Sequence, residues 1–305
     1  MLSLLQAGCQ AEPSLTITLG GDVILGREGQ AFFTQDPWGG MARAGLPSEN
    51  AQNWFVVNLE SPLGSLAETD FSFDEGYNLC APVKAAEILK MGGVDLVSIA
   101  NNHQYDCGER ADLSLVIPGI TSAAEGRPVI LESSAGTIVI LAVDAVSKPL
   151  DMAAFLARVV EVREKADVLI VSLHWGVEYA GEPTRLQREQ TQQLADAGVD
   201  VLWGHHPHVL QPAEWVDSQD GGHHMLALYS LGNLLTDQTM TYETRHSALV
   251  QLQIKEGEIS QLSVQPLVLN QTDGMLVLAI PDDTESSYIG DRLGWPAIKK
   301  GFTND

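Results

Sequence analysis

Basic side chains are scarce. The chain has 305 residues and carries 17 Lys and Arg against 40 Asp and Glu, a formal charge of −23. Phosphate backbones are bound by clustered Lys and Arg, so the charge argues against a nucleic-acid partner. It argues equally against adhesion to anionic lipid through a basic patch. Cysteine is sparse too. Cys9, Cys80 and Cys107 are odd in number and widely spaced, and no CxxC pair occurs. Neither a disulfide framework nor a structural thiolate zinc site is expected, and Cys80 and Cys107 read as free thiols without a catalytic role. No apolar run reaches the roughly 18 residues of a spanning helix. The GxSxG elbow, the P-loop and the GxGxxG fingerprint are all missing, and the stretch Gly20-Gly21-Asp22 to Gly26-Arg27 lacks the GK[ST] ending of an ATP-binding loop. What remains is 45% hydrophobic and 19% charged, the composition of a folded globular protein.

The N-terminus stands apart. Small residues before Cys9, after a short apolar run, resemble the lipobox of bacterial lipoproteins, in which the cysteine carries the lipid. Gln6 departs from that pattern, as does the lack of a preceding basic residue. Residues 1–12 are therefore set aside from the fold. The expectation is an extracytoplasmic protein attached to a membrane only through a lipid on Cys9, with a cytosolic tail as the alternative.

The rest alternates between strand and helix patterns. Leu15–Leu19, Trp54–Leu59, Val94–Ile99, Val168–Leu173, Asp200–Trp203 and Met225–Ser230 read as apolar strands, and residues 129–131 and 137–143 as a strand pair. Residues 82–91, 152–166 and 184–197 have helical spacing, the first and last stopped by glycine. Stretches 248–254 and 259–269 look β-like. No linker splits the chain, so one domain is expected over 14–270, with a tail at 271–305.

Six of these strands run into polar clusters: Asp22, Asn58 with Glu60, Asn102 with His103, His174, His206 with His208, and Asn233. Ligands of open α/β sheets bind outside the carboxyl ends of the strands, so the clusters are expected to converge on one crater. In an extended His206-Pro207-His208 the two imidazoles share a face and His205 points the other way, so His205 should matter less. Imidazole, carboxylate and amide donors together suit Mn, Zn or Fe rather than Ca or Mg. A hydrogen-bonded crater without metal is the alternative. Arg27 is a fork-shaped donor suited to a carboxylate or phosphate, or else a surface ion pair.

Six segments carry a family resemblance: Gly21-Asp22-Val23-Ile24-Leu25-Gly26-Arg27, Asn58-Leu59-Glu60-Ser61-Pro62, Ser98 to His103 followed by Asp106-Cys107-Gly108, His174-Trp175-Gly176-Val177-Glu178-Tyr179, Gly204 to Pro212, and Tyr229-Ser230-Leu231-Gly232-Asn233. In this order the chain resembles the CapA/PgsA family of poly-γ-glutamate capsule biosynthesis proteins, which looks like a divergent branch of the calcineurin-like metallophosphoesterases. The resemblance implies a four-layer α/β sandwich of two mixed sheets flanked by helices. It implies a divalent metal on Asp22, Glu60, Asn102, His174, His206 and His208, with Asp22, Arg27 and His103 catalytic and His103 protonating the leaving group. Arg27, Asn58, Glu178, Tyr179 and Asn233 would contact substrate.

The Asp-x-His of metallophosphoesterases reads Asp22-Val23-Ile24, and Asn58-Leu59-Glu60 stands where they have Gly-Asp-x-x-Asp. One tight metal is therefore expected rather than two, with Asp22 either bridging to metal or pairing with Arg27. Two functions follow. One is a factor in poly-γ-glutamate synthesis, export or anchoring, working with membrane-bound capsule synthesis proteins on a polyanion. The other is a metal-dependent hydrolase of a phosphoester or amide bond.

Overall fold

The computed structural model describes residues 13–27, 33, 35–39, 52–64, 78–108, 119–295 and 298. Cys9 and the lipobox-like segment lie outside them. The chain runs β1 (Leu15–Val23), β2 (Gln52–Leu59), β3 (Leu63–Gly64), β4 (Ala81–Pro82), a 3-10 turn (Val83–Ala85), α1 (Ala86–Met91), β5 (Leu96–Ser98) and β6 (Thr121–Ala123). It continues through β7 (Val129–Ser133), β8 (Gly136–Asp144), α2 (Met152–Arg163), β9 (Val168–His174), α3 (Arg185–Asp196), β10 (Val201–His205), β11 (Ala213–Asp217) and β12 (His224–Leu228). The last elements are β13 (Asn233–Leu235), a second 3-10 turn (Glu243–Arg245), β14 (His246–Lys255), β15 (Glu258–Thr272), β16 (Met275–Ala279) and α4 (Asp283–Leu293).

Two mixed sheets hold the fold. The first has the order β16-β15-β14-β1-β2-β5-β6, with β13 also beside β1, and the second has β11-β12-β10-β9-β8-β7. Within them β1, β2 and β5 are parallel, as are β8, β9 and β10, so their carboxyl ends share an edge of each sheet. Period-2 alternation divides the side chains between layers. Leu15, Ile17, Leu19 and Val56 meet Ile138, Ile140, Ile170, Val201 and Trp203 in the core between the sheets. Phe55, Val57 and Leu59 face outward onto Ala86 and Leu89 of α1. Leu169, Val171 and Leu173 face outward onto Phe155, Val159 and Val162 of α2 and Leu194 and Ala195 of α3. This is the four-layer sandwich that the metallophosphoesterase resemblance implies.

Local chemistry sets the helix ends. Asp151 caps α2 by accepting from Ala154 N at 3.1 Å. Thr184 and Gln187 form a reciprocal capping box on α3. The helices are shorter than the apolar spacing suggested: α1 is preceded by a 3-10 turn, and α2 ends at Arg163, whose guanidinium turns to the Gly198 and Ala166 carbonyls and to Asp200.

Residues 271–279, expected as part of a tail, complete β15 and form β16 of the first sheet. Helix α4 packs Ile289 and Leu293 against the intersheet core.

Cys80 and Cys107 correct the free-thiol expectation. They form a disulfide with Cα atoms 5.0 Å apart. Wide spacing concealed it, because only the fold brings the segment before β4 beside the loop after β5. Leu79 N donates to Asp106 Oδ2 at 2.6 Å, and Asn78 Nδ2 donates to the Asp106 carbonyl at 3.0 Å, so these two segments are already held together.

Candidate functional site

The crater sits where the carboxyl ends of the two sheets meet. Asn58 keeps the inward parity of Val56, and His174 that of Val168, Ile170 and Ser172. Ser172 Oγ reaches across to Ser98 Oγ at 2.8 Å, which fixes the distance between the sheets there. Asp22 faces inward for a different reason. The register between β1 and β2 slips between Leu19 and Asp22, so Asp22 pairs with inward-facing Asn58. Gly20 and Gly21 permit this irregularity, since a Cβ on Gly21 would overlap the Gly232 carbonyl oxygen. On its other side Asp22 pairs with Asn233 of β13, where the chain has just crossed from the second sheet to the first.

Hydrogen bonds then order the donors. Asn58 Nδ2 donates to Asp22 Oδ1 at 2.9 Å and lies 3.4 Å from Glu60 Oε1. His174 Nε2 lies 2.8 Å from Asn102 Oδ1 and 3.9 Å from Glu60 Oε1. His208 Nδ1 meets Asn233 Oδ1 at 3.0 Å and Asp22 Oδ2 at 3.5 Å, while its Nε2 is 3.7 Å from Glu60 Oε2. Asn101 Nδ2 donates to the Leu59 carbonyl, and Asn101 Oδ1 accepts from His103 N, tying the Asn102-His103 turn to the end of β2. His103 Nδ1 lies 2.8 Å from Asp106 Oδ2.

Six of the expected residues therefore come together: Asp22, Glu60, Asn102, His174, His206 and His208. All but Asn102 are buried, and Asn102 is half-buried. Asn58 and Asn233 lie beneath them, buried against Asp22 and His208. A cleft of about 310 Å³ opens above, lined by Arg27, Glu60, His103, Glu178, Tyr179 and His208 and walled by Asp237, Gln238 and Met240.

Three expectations are corrected. Arg27 does not pair with Asp22. Its backbone turns to φ 55° after Gly26, and the guanidinium grips Asp237 at 2.6 and 3.2 Å. The His206-Pro207-His208 segment is not extended. His206 has φ 94° and His208 φ 60°, and it is this turn, not strand parity, that brings their rings within 5.9 Å. His205 does not point away. It is the last residue of β10 and shares the inner face of Trp203, so its Nδ1 meets Asp22 Oδ1 at 3.3 Å. Sequence reasoning also passed over Asn101, Asp106 and Asp237. Asp106 stood three residues from His103 within a quoted segment, which is the signal that pointed to it.

Burial and charge divide the titrating groups. Burial pushes the Asp22 carboxyl up, but His205 and His208 outweigh it and hold Asp22 well below the usual carboxylate range. Burial, with the neighbouring Asp22 charge, drives Glu60 well above its ordinary value despite His208. Burial lowers His174, helped by His206, and lowers His206 to about 4. Burial also opposes the charge on His208, yet Glu60 and Asp22 raise it to about 9.

The donor set fits a divalent ion. Glu60 Oε2, Asn58 Oδ1 and His205 Nε2 are buried without a hydrogen-bond partner, and His205 Nδ1 has only its ion-pair contact with Asp22 Oδ1 at 3.3 Å. Such atoms are costly to bury unless something satisfies them, and a cation would satisfy the Glu60 oxygen. Donor atoms of Asp22, Glu60 and His208 lie within 4.8 Å of one another, as do those of Glu178, His206 and His208. The two groups share His208, which favours one ion over two.

The family described as "Bacterial capsule synthesis protein PGA_cap" matches residues 16–238. The "PGA biosynthesis protein CapA" of Bacillus subtilis (strain 168) is 27% identical over 282 residues, covering 84% of this chain and 72% of that protein. The "Capsule biosynthesis protein CapA" of Bacillus anthracis is 27% identical over 288 residues, covering 84% of this chain and 68% of that protein. Among solved structures, a hypothetical protein from Thermus thermophilus shares the fold with a TM-score of 0.52 at 15% identity, over 82% of this chain and 98% of that one.

Proposed function

The chain belongs to the bacterial capsule synthesis protein family PGA_cap, and from that premise we propose that it is a metal-dependent hydrolase of a phosphoester or amide bond. The observation that supports this is the convergence of Asp22, Glu60 and His208 on one buried point that leaves Glu60 Oε2 without a partner. A divalent ion held there, with His174, Asn102 and His206 beside it, would supply Lewis-acid activation of water.

The protein's own groups do the rest. Asn58 orients the Asp22 and Glu60 carboxylates through one amide. Asp106 accepts a hydrogen bond from His103 Nδ1, which fixes the ring and leaves Nε2 to pass a proton to the leaving group. Arg27 lines the cleft with Asp237 already on its guanidinium, so an anionic substrate group engages it only by sharing or displacing that carboxylate. Glu178 and Tyr179 border the same cleft.

Hydrolysis of an aryl phosphodiester and of a γ-glutamyl peptide, each with added Mn, Zn or Fe, tests the reading. Ion-dependent turnover of either substrate that falls about 10²-fold or more in His103→Ala is expected. An ion-loaded protein inert toward both would overturn it.

A second reading keeps the chain as a surface factor that handles poly-γ-glutamate alongside membrane-bound capsule proteins. The Cys80–Cys107 disulfide supports the extracytoplasmic location this needs, since such bonds persist in oxidising compartments. No helix among the described residues is long and apolar enough to cross a membrane.

A further inference from the structure

Glu178 occupies an unexpected place. It is exposed on the loop after β9, yet one of its carboxylate oxygens lies within 4.8 Å of donor atoms on buried His206 and His208. That proximity is built into the backbone. Gly176 turns the chain at φ 93°, where a Cβ would strike the Gln187 side chain, and Tyr179 follows at φ 60°. Tyr179 N then donates to the Pro207 carbonyl at 2.8 Å, stitching the Glu178 loop to the His206–His208 turn.

Six non-glycine residues among the described residues have a positive φ. Glu256 and Asp273 precede Gly257 and Gly274 in hairpin turns between adjacent strands, where such a backbone is ordinary. The other four are Arg27, Tyr179 and His208, which line the cleft, and His206, whose ring lies 5.9 Å from that of His208. Left-handed backbone at non-glycine residues costs on the order of 1–3 kcal/mol each and persists where the surroundings enforce it. Here the enforced conformations hold Glu178, His206 and His208 in register.

The two donor groups differ in depth. Asp22, Glu60 and His208 are all buried, whereas Glu178 lies at the cleft surface. We propose that Glu178, His206 and His208 form an outer metal position, through which a divalent ion enters and leaves the inner position of Asp22, Glu60 and His208. His208 belongs to both, so the ion is handed inward rather than joined by a second. This inference rests on the metal-dependent reading above but concerns the path of the ion, not the reaction.

The test uses the full chain and Mn2+ alone, followed by its paramagnetic resonance signal and by release to a chelator. Glu60→Gln is expected to lose the tight ion but keep a weaker one, and Glu178→Gln added to it should abolish that residual binding. Glu178→Gln by itself should slow uptake and release about tenfold, the scale on which residues around a metal act. Because Glu178 is exposed, that single variant remains informative if Glu60→Gln fails to fold. Residual binding indifferent to Glu178, or exchange rates unchanged in Glu178→Gln, would overturn the outer position. Absence of any bound Mn2+ in the unmodified protein would instead overturn the metal-dependent reading itself.

Discussion

Cys107 is bonded to Cys80, and Asp106, the residue before it, holds the His103 imidazole at 2.8 Å. The disulfide therefore braces the loop that carries His103, the proposed proton donor. Closing a loop of 27 residues stabilises a fold by about 3–4 kcal/mol in the chain-entropy account. The Cys80→Ser/Cys107→Ser protein should lose stability on that scale in urea denaturation. Added dithiol should destabilise the unmodified protein but not the variant. A variant as stable as the parent would show that the neighbouring Asn78 and Leu79 bonds to Asp106 suffice.

Gly21 is tested by one methyl group. A Cβ there would overlap the Gly232 carbonyl oxygen, which is backbone and cannot swing aside. Gly21→Ala should therefore part β1 from β13 and move Asp22 away from Asn233, costing about 1–3 kcal/mol in overpacking. Both a lowered melting temperature and weakened ion binding are expected. A variant that keeps both the melting temperature and the ion affinity of the parent would contradict this account.

How far these residues were legible in the sequence follows from which interactions are local. Strand parity is local, so the apolar runs at 54–59 and 168–173 gave away their strands and the polar residues at their tips. The pairing of β1 with β13 is not local. Nothing in Leu15–Leu19 tells that the strand continues through two glycines to Val23, because Gly21 answers to the Gly232 carbonyl and Gly20 to the Leu234 side chain, each more than 200 residues away. The slip that turns Asp22 inward comes from the same long-range contact. His206 and His208 were legible as a pair for their spacing, though the face they share comes from positive φ rather than from extension. Arg27 was visible as a rare cation, but its partner Asp237 was hidden, since one carboxylate among 40 acidic residues carries no mark.

His205 is the residue whose expected role changes most. From alternation it should have pointed away from the site, yet its Nδ1 lies 3.3 Å from Asp22 Oδ1, closer than His208 does. It does not line the cleft, so the role we propose for it is to position Asp22. Outer partners of metal ligands typically contribute about 10–100-fold in affinity. His205→Ala should weaken Mn2+ binding on that scale, and His205→Asn, which keeps a donor near the Nδ1 position, should recover part of it. Equal affinity in His205→Ala and the parent would return His205 to a packing role beside Trp203.

The pH dependence turns on His208, raised to about 9 because Glu60 and Asp22 outweigh the cost of burying its charge. A histidine raised in the fold contributes stability that is fully present below its ordinary value of about 6.5 and is lost as pH rises through 9. The ion-free protein should thus lose stability from this group between those two values. An ion needs the same imidazole without its proton, so the proton competes, and ion binding tightens with pH across that window. Asp22, His206 and His174 leave the window clear. Asp22, held low, keeps its charge throughout, while His206 at about 4 and His174, also lowered, stay neutral. Their lowered values withdraw stability only below about 6.5, where the unfolded chain takes up protons that the fold refuses. Glu60, driven well above its ordinary value by burial, is a second group whose proton the ion must displace. Melting curves with and without saturating Mn2+ between pH 6.5 and 9 should show an ion-induced rise in melting temperature that grows with pH. A rise that is flat over this range would mean that the ion does not use His208.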